Sequence, residues 1–191
     1  MIAKLRHFLP RKIVIQIYNS LVGPYISYAI AVWGSADKCH INKILILQKR
    51  ALRFIYFAER KDHAIPLFLD ANILPVSFLY YKNICTLMYD VRHEKAPTNI
   101  LDLFIDTKSI HSYNTRSSAS RNFYIKQSKL QIQLKAFSRL GARIWNEIPA
   151  SLKAKPKRIF KTELHRSLLH VLKSHDDYLD IFQIGKAIKR S

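Results

Sequence analysis

The sequence is poor in acidic residues, glycine and cysteine, and each shortage narrows the class of protein. Only 13 Asp and Glu accompany 32 Lys and Arg, which leaves a formal charge of +19 on 191 residues. A polyanionic partner relieves self-repulsion of this size, so the composition favours nucleic acid as a partner. With four glycines and apolar residues that recur mostly every three or four positions, the chain is predicted to be mainly α-helical.

The shortage of cysteine and of clustered carboxylates limits the metal sites and catalytic sites that the chain could form. Cys39 and Cys85 stand alone, without a CxxC pair or a Cys/His cluster, so we expect reduced, buried thiols and no structural zinc. Polymerase chemistry needs carboxylates that hold two metal ions, and no such set is recognisable. The pair Asp176-Asp177 follows a basic helix and is expected to be an exposed cap or tail. Because Gly-rich phosphate loops and hydrolase motifs are also missing, we assign no catalytic residue, metal ligand or cofactor.

A long uncharged segment covers residues 13–36 and could in principle cross a bilayer. Pro24 interrupts it and polar side chains are interspersed, so we expect a buried helical hairpin instead. Its first helix would cover residues 11–22, and its second would run from Pro24 to Trp33, closed by Gly34-Ser35. No signal-peptide cleavage site follows, so a nuclear or cytoplasmic location is expected. A basic membrane-associated protein is the less favoured alternative.

The clearest amphipathic pattern predicts a third helix over residues 37–58. Its apolar face would hold Ile41, Ile44, Leu45, Gln48, Ala51, Leu52 and Ile55. The opposite arc would hold the cations Lys43, Lys49, Arg50, Arg53 and Arg60. One face can pack while the other contacts phosphates, although an ordinary solvated face explains the pattern of a single helix equally well.

Charge and composition divide the chain into four predicted regions. A helical bundle would cover residues 1–63, followed by a helical connector over 64–108. Residues 64–110 are nearly neutral, with four basic and five acidic side chains. A basic C-terminal region would cover 109–175, because residues 111–175 hold 14 basic and two acidic side chains. Residues 176–191 would form a tail that frays.

Shorter elements are predicted within the connector and the C-terminal region. Prolines 66 and 75 bracket a short helix, and a core helix runs from Val76 to about Arg92. Thr98 is a candidate cap for a helical turn over 99–104. A short strand or hairpin is expected around Phe123-Tyr124-Ile125. Helices around Arg139 and after Pro156 complete the region.

Binding residues are predicted where cations line up. The predicted nucleic-acid-binding residues are Lys43, Lys49, Arg50, Arg53, Arg116, Arg139, Arg143, Lys157 and Arg158. The run 153–158 has the charge density of a nuclear-import or phosphate-binding patch, and a solvated helix entry explains it equally well. Aromatic residues that could stack on bases are Tyr18, Tyr25, Tyr28, Trp33, Tyr113, Phe123, Tyr124 and Trp145. Most of these, including both tryptophans, are expected to pack in the core.

Six motifs in order resemble the C-terminal part of LINE-type (non-LTR) retrotransposon reverse transcriptases. They are YNSLVGPYISYAIAVWG (18–34), LQKRALR (47–53), ILPV (73–76), NTRS (114–117), GARIWNEIP (141–149) and Phe160-Lys161. The first two are similar to the helical hairpin after the palm and to the third thumb helix. Ala29 stands where glycine is common in the family, a difference expected to matter little because alanine favours a helix.

The resemblance implies a thumb and post-thumb region truncated upstream of the palm domain. It predicts a thumb-like bundle in residues 1–63 and a non-catalytic fragment of an RNA-directed DNA polymerase. The implied partners are template or primer RNA and DNA, contacted through phosphates, and the upstream palm domain; a membrane is not expected. The alternative is a non-functional translated relic of a truncated element, which would expose apolar surface on residues 11–33.

Overall fold

The computed structural model describes residues 2–110, 122–127, 136–174 and 181–190. Across these ranges the protein is mainly α-helical and has no β-strand, which confirms the predicted fold class. The chain forms two compact units. Unit 1 comprises Met1–Tyr80 and Leu168–Asp180, and unit 2 comprises Tyr81–Ser167 and Ile181–Ser191.

Unit 1 opens with a series of short helical segments. They are α1 (Ile2–Leu5), α2 (Arg11–Ile17), a π-helical turn (Tyr18–Val22), α3 (Gly23–Ser27) and α4 (Ile30–Trp33). Pro24 has no N–H to donate, and the turn before it is widened, with the Gly23 N–H bonded to the Tyr18 carbonyl. The helical path therefore continues past Pro24, and the predicted hairpin turn at this proline is wrong.

The chain changes direction at Tyr28 and Ala29 instead. Ala29 adopts the left-handed conformation, with φ 48° and ψ 24°, and the indole N–H of Trp33 donates to the Tyr28 carbonyl at 2.7 Å. The expectation that alanine at this position changes little is wrong, because the residue is not helical. The segment is also less buried than predicted, since Tyr25 and Val32 are 84% and 77% exposed.

The long helix α5 (Lys38–Tyr56) organises unit 1, and α1, α2 and α6 (Ile65–Asp70) pack against it. Four residues of its predicted apolar face are buried, and Arg60 of the predicted cationic arc lies beyond the end of the helix. The buried face holds Leu45, Gln48, Leu52 and Ile55. The helix ends at Tyr56 because the next residue, Phe57, is left-handed with φ 56°, and the Ala58 N–H closes the end by donating to the Arg53 carbonyl.

A buried glutamine joins α5 to the start of α7 (Val76–Arg92). The Gln48 side-chain oxygen accepts the Val76 N–H at 2.8 Å, and its amide lies 3.4 Å from the Tyr18 hydroxyl. The interaction satisfies one of the otherwise unpaired N–H groups at a helix start. Burial raises the pKa of Tyr18, an effect that the hydrogen bond with Gln48 partly offsets.

Unit 2 contains the rest of α7 and several further helices. They are α8 (Thr98–Leu101), a 3-10 turn (Thr107–Ser109), α9 (Phe137–Glu147), α10 (Ala150–Lys153), most of α11 (Lys157–Ser174) and α12 (Ile181–Arg190). The core includes Trp145, which is fully buried and lies near the rings of Tyr89, Phe123 and Phe160.

Three details of unit 2 differ from the predictions. Phe123 forms an isolated antiparallel bridge with Asp106 instead of a strand or hairpin, and the Asn146 amide holds both polar backbone atoms of Phe123. Thr98 is the first residue of α8 and makes no capping bond. The last residues were expected to fray, but α12 packs on α9 and buries Ile184.

Candidate nucleic-acid interface

A groove of about 740 Å³ follows the outer side of α5 in unit 1. The residues that line it are Ile46, Lys49, Arg50, Arg53, Phe54, Ala58 and Arg60. Three of them, Lys49, Arg50 and Arg53, belong to the predicted site, and α5 presents them because they lie opposite its buried stripe. The groove thus combines four cationic side chains with apolar surface.

Arg53 is held in place by the loop that follows α5. Its Nε and Nη2 donate to the Asp62 carbonyl at 3.2 and 2.6 Å. A carbonyl oxygen orders a guanidinium without neutralising it, so Arg53 keeps its full charge in the groove. The Asp62 carboxylate itself accepts the Glu59 N–H at 2.7 Å, which helps to fix the loop.

Aromatic rings extend the groove surface at the end of α5. Phe54 lines the groove and is 45% exposed, and Phe57 is 57% exposed. The guanidinium of Arg6 lies 4.4 Å from the Phe57 ring centroid and donates to the Phe54 carbonyl at 3.2 Å. A basic groove edged by rings offers both kinds of surface that a nucleic-acid strand contacts, phosphate-binding cations and stacking faces.

The remaining predicted site residues are distributed over both units. In unit 1, Lys43 is exposed on α5. In unit 2, Arg139 and Arg143 are half-buried on α9, and the Arg143 Nε lies 3.6 Å from a Glu147 carboxylate oxygen. Arg116 lies outside the described residues.

The basic run 153–158 is largely engaged in contacts within unit 2. Lys153 is buried and donates to the Asn122 side chain at 2.9 Å. Lys155 forms an ion pair with Glu163. The Lys157 ammonium lies 2.6 Å from an Asp90 carboxylate oxygen, whereas Arg158 is exposed. The cations of this run therefore anchor helices of unit 2 as much as they form an open basic surface.

Several aromatic residues considered as stacking platforms are in the core. Tyr18, Phe123 and Trp145 are buried, Trp33 is half-buried, and Tyr124 is 43% exposed. Tyr25 and Tyr28 are exposed, and Tyr113 lies outside the described residues. The rings closest to the basic groove, Phe54 and Phe57, had no distinguishing signal in the sequence, because aromatic residues at the end of an amphipathic helix are usually core.

The groove also includes Arg60, which was not among the predicted site residues. The helix was predicted to continue to residue 58, but it ends at Tyr56, and the loop after it brings Arg60 back beside Arg53. Helical periodicity places Arg60 on the same arc as Arg53, but the loop conformation is what brings the two side chains into one groove.

The described ranges contain neither a group of metal-binding side chains nor a helix suited to span a membrane. No three His, Cys, Asp or Glu residues there are grouped so that they could hold a metal ion. None of the described helices combines the length and the apolar character that a membrane span requires.

Comparison with known proteins gives a short match. Over 41 residues the chain is 46% identical to the RNA-directed DNA polymerase from mobile element jockey of Drosophila melanogaster. The stretch represents 22% of this chain and only 4% of that protein. No family model matches the chain, and no solved structure does. The match supports a relation to a retrotransposon reverse transcriptase.

Proposed function

We propose that the chain is a non-catalytic, nucleic-acid-binding part of a retrotransposon reverse transcriptase, corresponding to its thumb and post-thumb region. The observation that carries this proposal is the groove beside α5, where Lys49, Arg50, Arg53 and Arg60 converge. The partial identity to a mobile-element polymerase supports the same class. The match covers only 4% of that polymerase. Any role of this chain in polymerase activity, and any partner taken from that activity, is therefore part of the proposal.

The groove would hold template or primer through backbone phosphates. Arginine suits this role because its planar guanidinium can donate two parallel hydrogen bonds to one phosphate. The Arg53 side chain is already positioned by the Asp62 carbonyl, so binding would cost little additional side-chain entropy. Contacts to phosphates carry no sequence information, and the chain is expected to bind many sequences with similar affinity. Lys43, exposed on the same helix, would extend this surface within unit 1. The predicted cations of unit 2 would form separate phosphate contacts.

The first test replaces two groove arginines in the full chain, Arg50→Gln with Arg60→Gln. Binding of a labelled oligonucleotide is followed by fluorescence anisotropy between about 50 and about 200 mM salt. The double variant should bind more weakly, and the slope of log affinity against log salt should become shallower by about 0.7–0.9 per lost contact.

The matched control is Lys4→Gln with Lys12→Gln, which removes the same charge from exposed positions of unit 1. If long-range charge alone drove binding, the two double variants would lose equal affinity. An equal loss, or an affinity independent of salt, would contradict the proposal. Duplex, single-stranded and hybrid oligonucleotides in the same assay identify the preferred strand.

The exposed apolar surface on residues 11–33 is proposed to contact the upstream palm domain of a longer polymerase. Tyr25, Tyr28 and Val32 are each at least 77% exposed, and a covering domain would remove this apolar surface from water. The same exposure favours a second candidate, a translated relic that lacks its covering partner. Limited proteolysis of the purified chain separates the two, since only a stable fold leaves a resistant fragment.

A further inference from the structure

Unit 2 holds a half-buried lysine that contacts a histidine and lies near a second lysine. The Lys82 ammonium on α7 lies 3.3 Å from Nδ1 of His165 on α11. An ammonium can only donate, so Nδ1 is the acceptor in this contact. Burial, and after it the positive charge of Lys161, lower the pKa of Lys82. The side chain is therefore in surroundings that disfavour its own charge.

No carboxylate in the described ranges compensates for this charge. The acidic residues on the same two helices pair elsewhere in unit 2, Asp90 with Lys157 and Glu163 with Lys155. Neither Lys82 nor Lys161 has an acidic partner among the described residues. An ammonium that is partly removed from water is stabilised by a counter-charge, and Lys82 has none within the described part of the chain. A bound anion would supply the negative charge that Lys82 and Lys161 lack among these residues.

We propose that Lys82 and Lys161 form a phosphate-binding site, distinct from the groove beside α5. Lys161 and His165 are four residues apart on α11, and Arg158 lies three residues before Lys161. This spacing places the three side chains on one side of the helix, where Lys82 contacts His165 and lies near Lys161. After donating to His165, the Lys82 ammonium has two hydrogens left for phosphate oxygens.

The competing explanation is a lysine that extends its ammonium into water along an apolar stem. The hydrogen bond to an imidazole on another helix argues against it, because it holds the ammonium near the charge of Lys161 instead of letting it extend away from that cation. The site was not apparent in the sequence, where Lys82 lies in a segment that reads as neutral scaffold.

Thermal unfolding of the full chain tests the site with inorganic phosphate against sodium chloride at matched ionic strength. A ligand that binds the folded state raises Tm, so phosphate should raise it more than chloride does. The variant Lys82→Gln with Lys161→Gln should lose this extra shift. The control Lys95→Gln with Lys126→Gln removes the same charge from exposed positions of unit 2 and should keep it.

An identical phosphate shift in the wild type and both double variants overturns the proposal. Lys161→Gln alone serves if the double variant does not fold, because this side chain is exposed; it should weaken phosphate binding by about tenfold, as for a lost charged contact of about 1.4 kcal/mol. A fully retained affinity in this single variant also overturns the proposal.

A parallel binding assay with an oligonucleotide distinguishes a nucleic-acid strand from free phosphate as the ligand of this site. If a nucleic-acid strand occupies the site, the salt slope of its binding should become shallower in Lys82→Gln with Lys161→Gln, by about 0.7–0.9 per contact. If the slope is unchanged while the inorganic phosphate shift is lost, the site takes free phosphate. Arg50→Gln with Arg60→Gln should keep the phosphate shift, which separates this site from the groove beside α5.

Discussion

Ala29 holds a backbone conformation that alanine normally avoids. In the left-handed region the methyl group crowds the following carbonyl, which costs roughly 1–2 kcal/mol relative to glycine. The strain occurs where the chain leaves α3 and enters α4, with φ 48°. A glycine at this position would adopt the same turn without this strain.

The variant Ala29→Gly should raise the free energy of unfolding by about 0.5–1 kcal/mol. It relieves the left-handed strain, and the greater entropy of glycine in the unfolded chain offsets part of the gain. The matched control is Ala31→Gly inside α4, which should lower the free energy of unfolding by about 0.5–1 kcal/mol. Urea denaturation measures both; destabilisation by both substitutions would argue against a left-handed Ala29.

Lysines illustrate how far the same residue type can differ in role. Lys155 and Lys157 have acidic partners, whereas Lys82 and Lys161 have none among the described residues. The first pair of side chains anchors helices, and the second pair leaves positive charge uncompensated. A count of basic residues cannot separate these cases, because the difference lies in which acids the fold brings near.

Among elements, α4 ends against a ring that leaves no room for a side chain. A Cβ on Gly34 would lie 2.3 Å from Cδ2 of Tyr80 and 2.5 Å from the Ile30 carbonyl oxygen. Neither the backbone carbonyl nor the buried ring can move away easily, so the position has no room for a side chain. Glycine is therefore required for space, since its φ of −66° is one that any residue adopts. Gly23 differs, since a Cβ there would meet only the Tyr18 carbonyl at 3.7 Å.

The two glycines give opposite predictions. Gly34→Ala should lower the free energy of unfolding by about 1–3 kcal/mol through overpacking. Gly23→Ala should raise it by about 0.5–1 kcal/mol, because Gly23 has helical φ and ψ and alanine is the better helix former. Urea midpoints of the two variants test this difference; a loss of similar size in both would mean that the end of α4 is not closely packed.

At the scale of the whole molecule, a charge of +19 on 191 residues opposes compaction. Repulsion among like charges is greater in the folded state, where they are closer together, and salt screens it over about 10 Å at 0.1 M. The free energy of unfolding should therefore increase when sodium chloride is raised from about 0.01 to about 0.1 M. Urea is the suitable denaturant because it is uncharged; an unchanged or lower stability would show that local ion pairs outweigh the net repulsion.

The helices that could be predicted are those whose signals are local. In α5 the apolar stripe repeats along one face, and in α7 and α11 a proline precedes the first turn. The start of a helix depends on the residues next to it, and its buried face follows from the spacing of apolar residues along the sequence. The predictions were wrong at Ala29, at Pro24 and at α12, where contacts with residues elsewhere in the chain decide the conformation.

The sequence by itself determined the helical class, the basic character and the cations Lys49, Arg50 and Arg53 on the outer face of α5. These follow from composition and periodicity, which need no knowledge of distant contacts. Only the tertiary structure decided that the loop after α5 brings Arg60 into the groove and that Lys82 contacts His165 and lies near Lys161. Such groupings depend on a loop conformation and on two helices far apart in the chain, and no local pattern of residues specifies either.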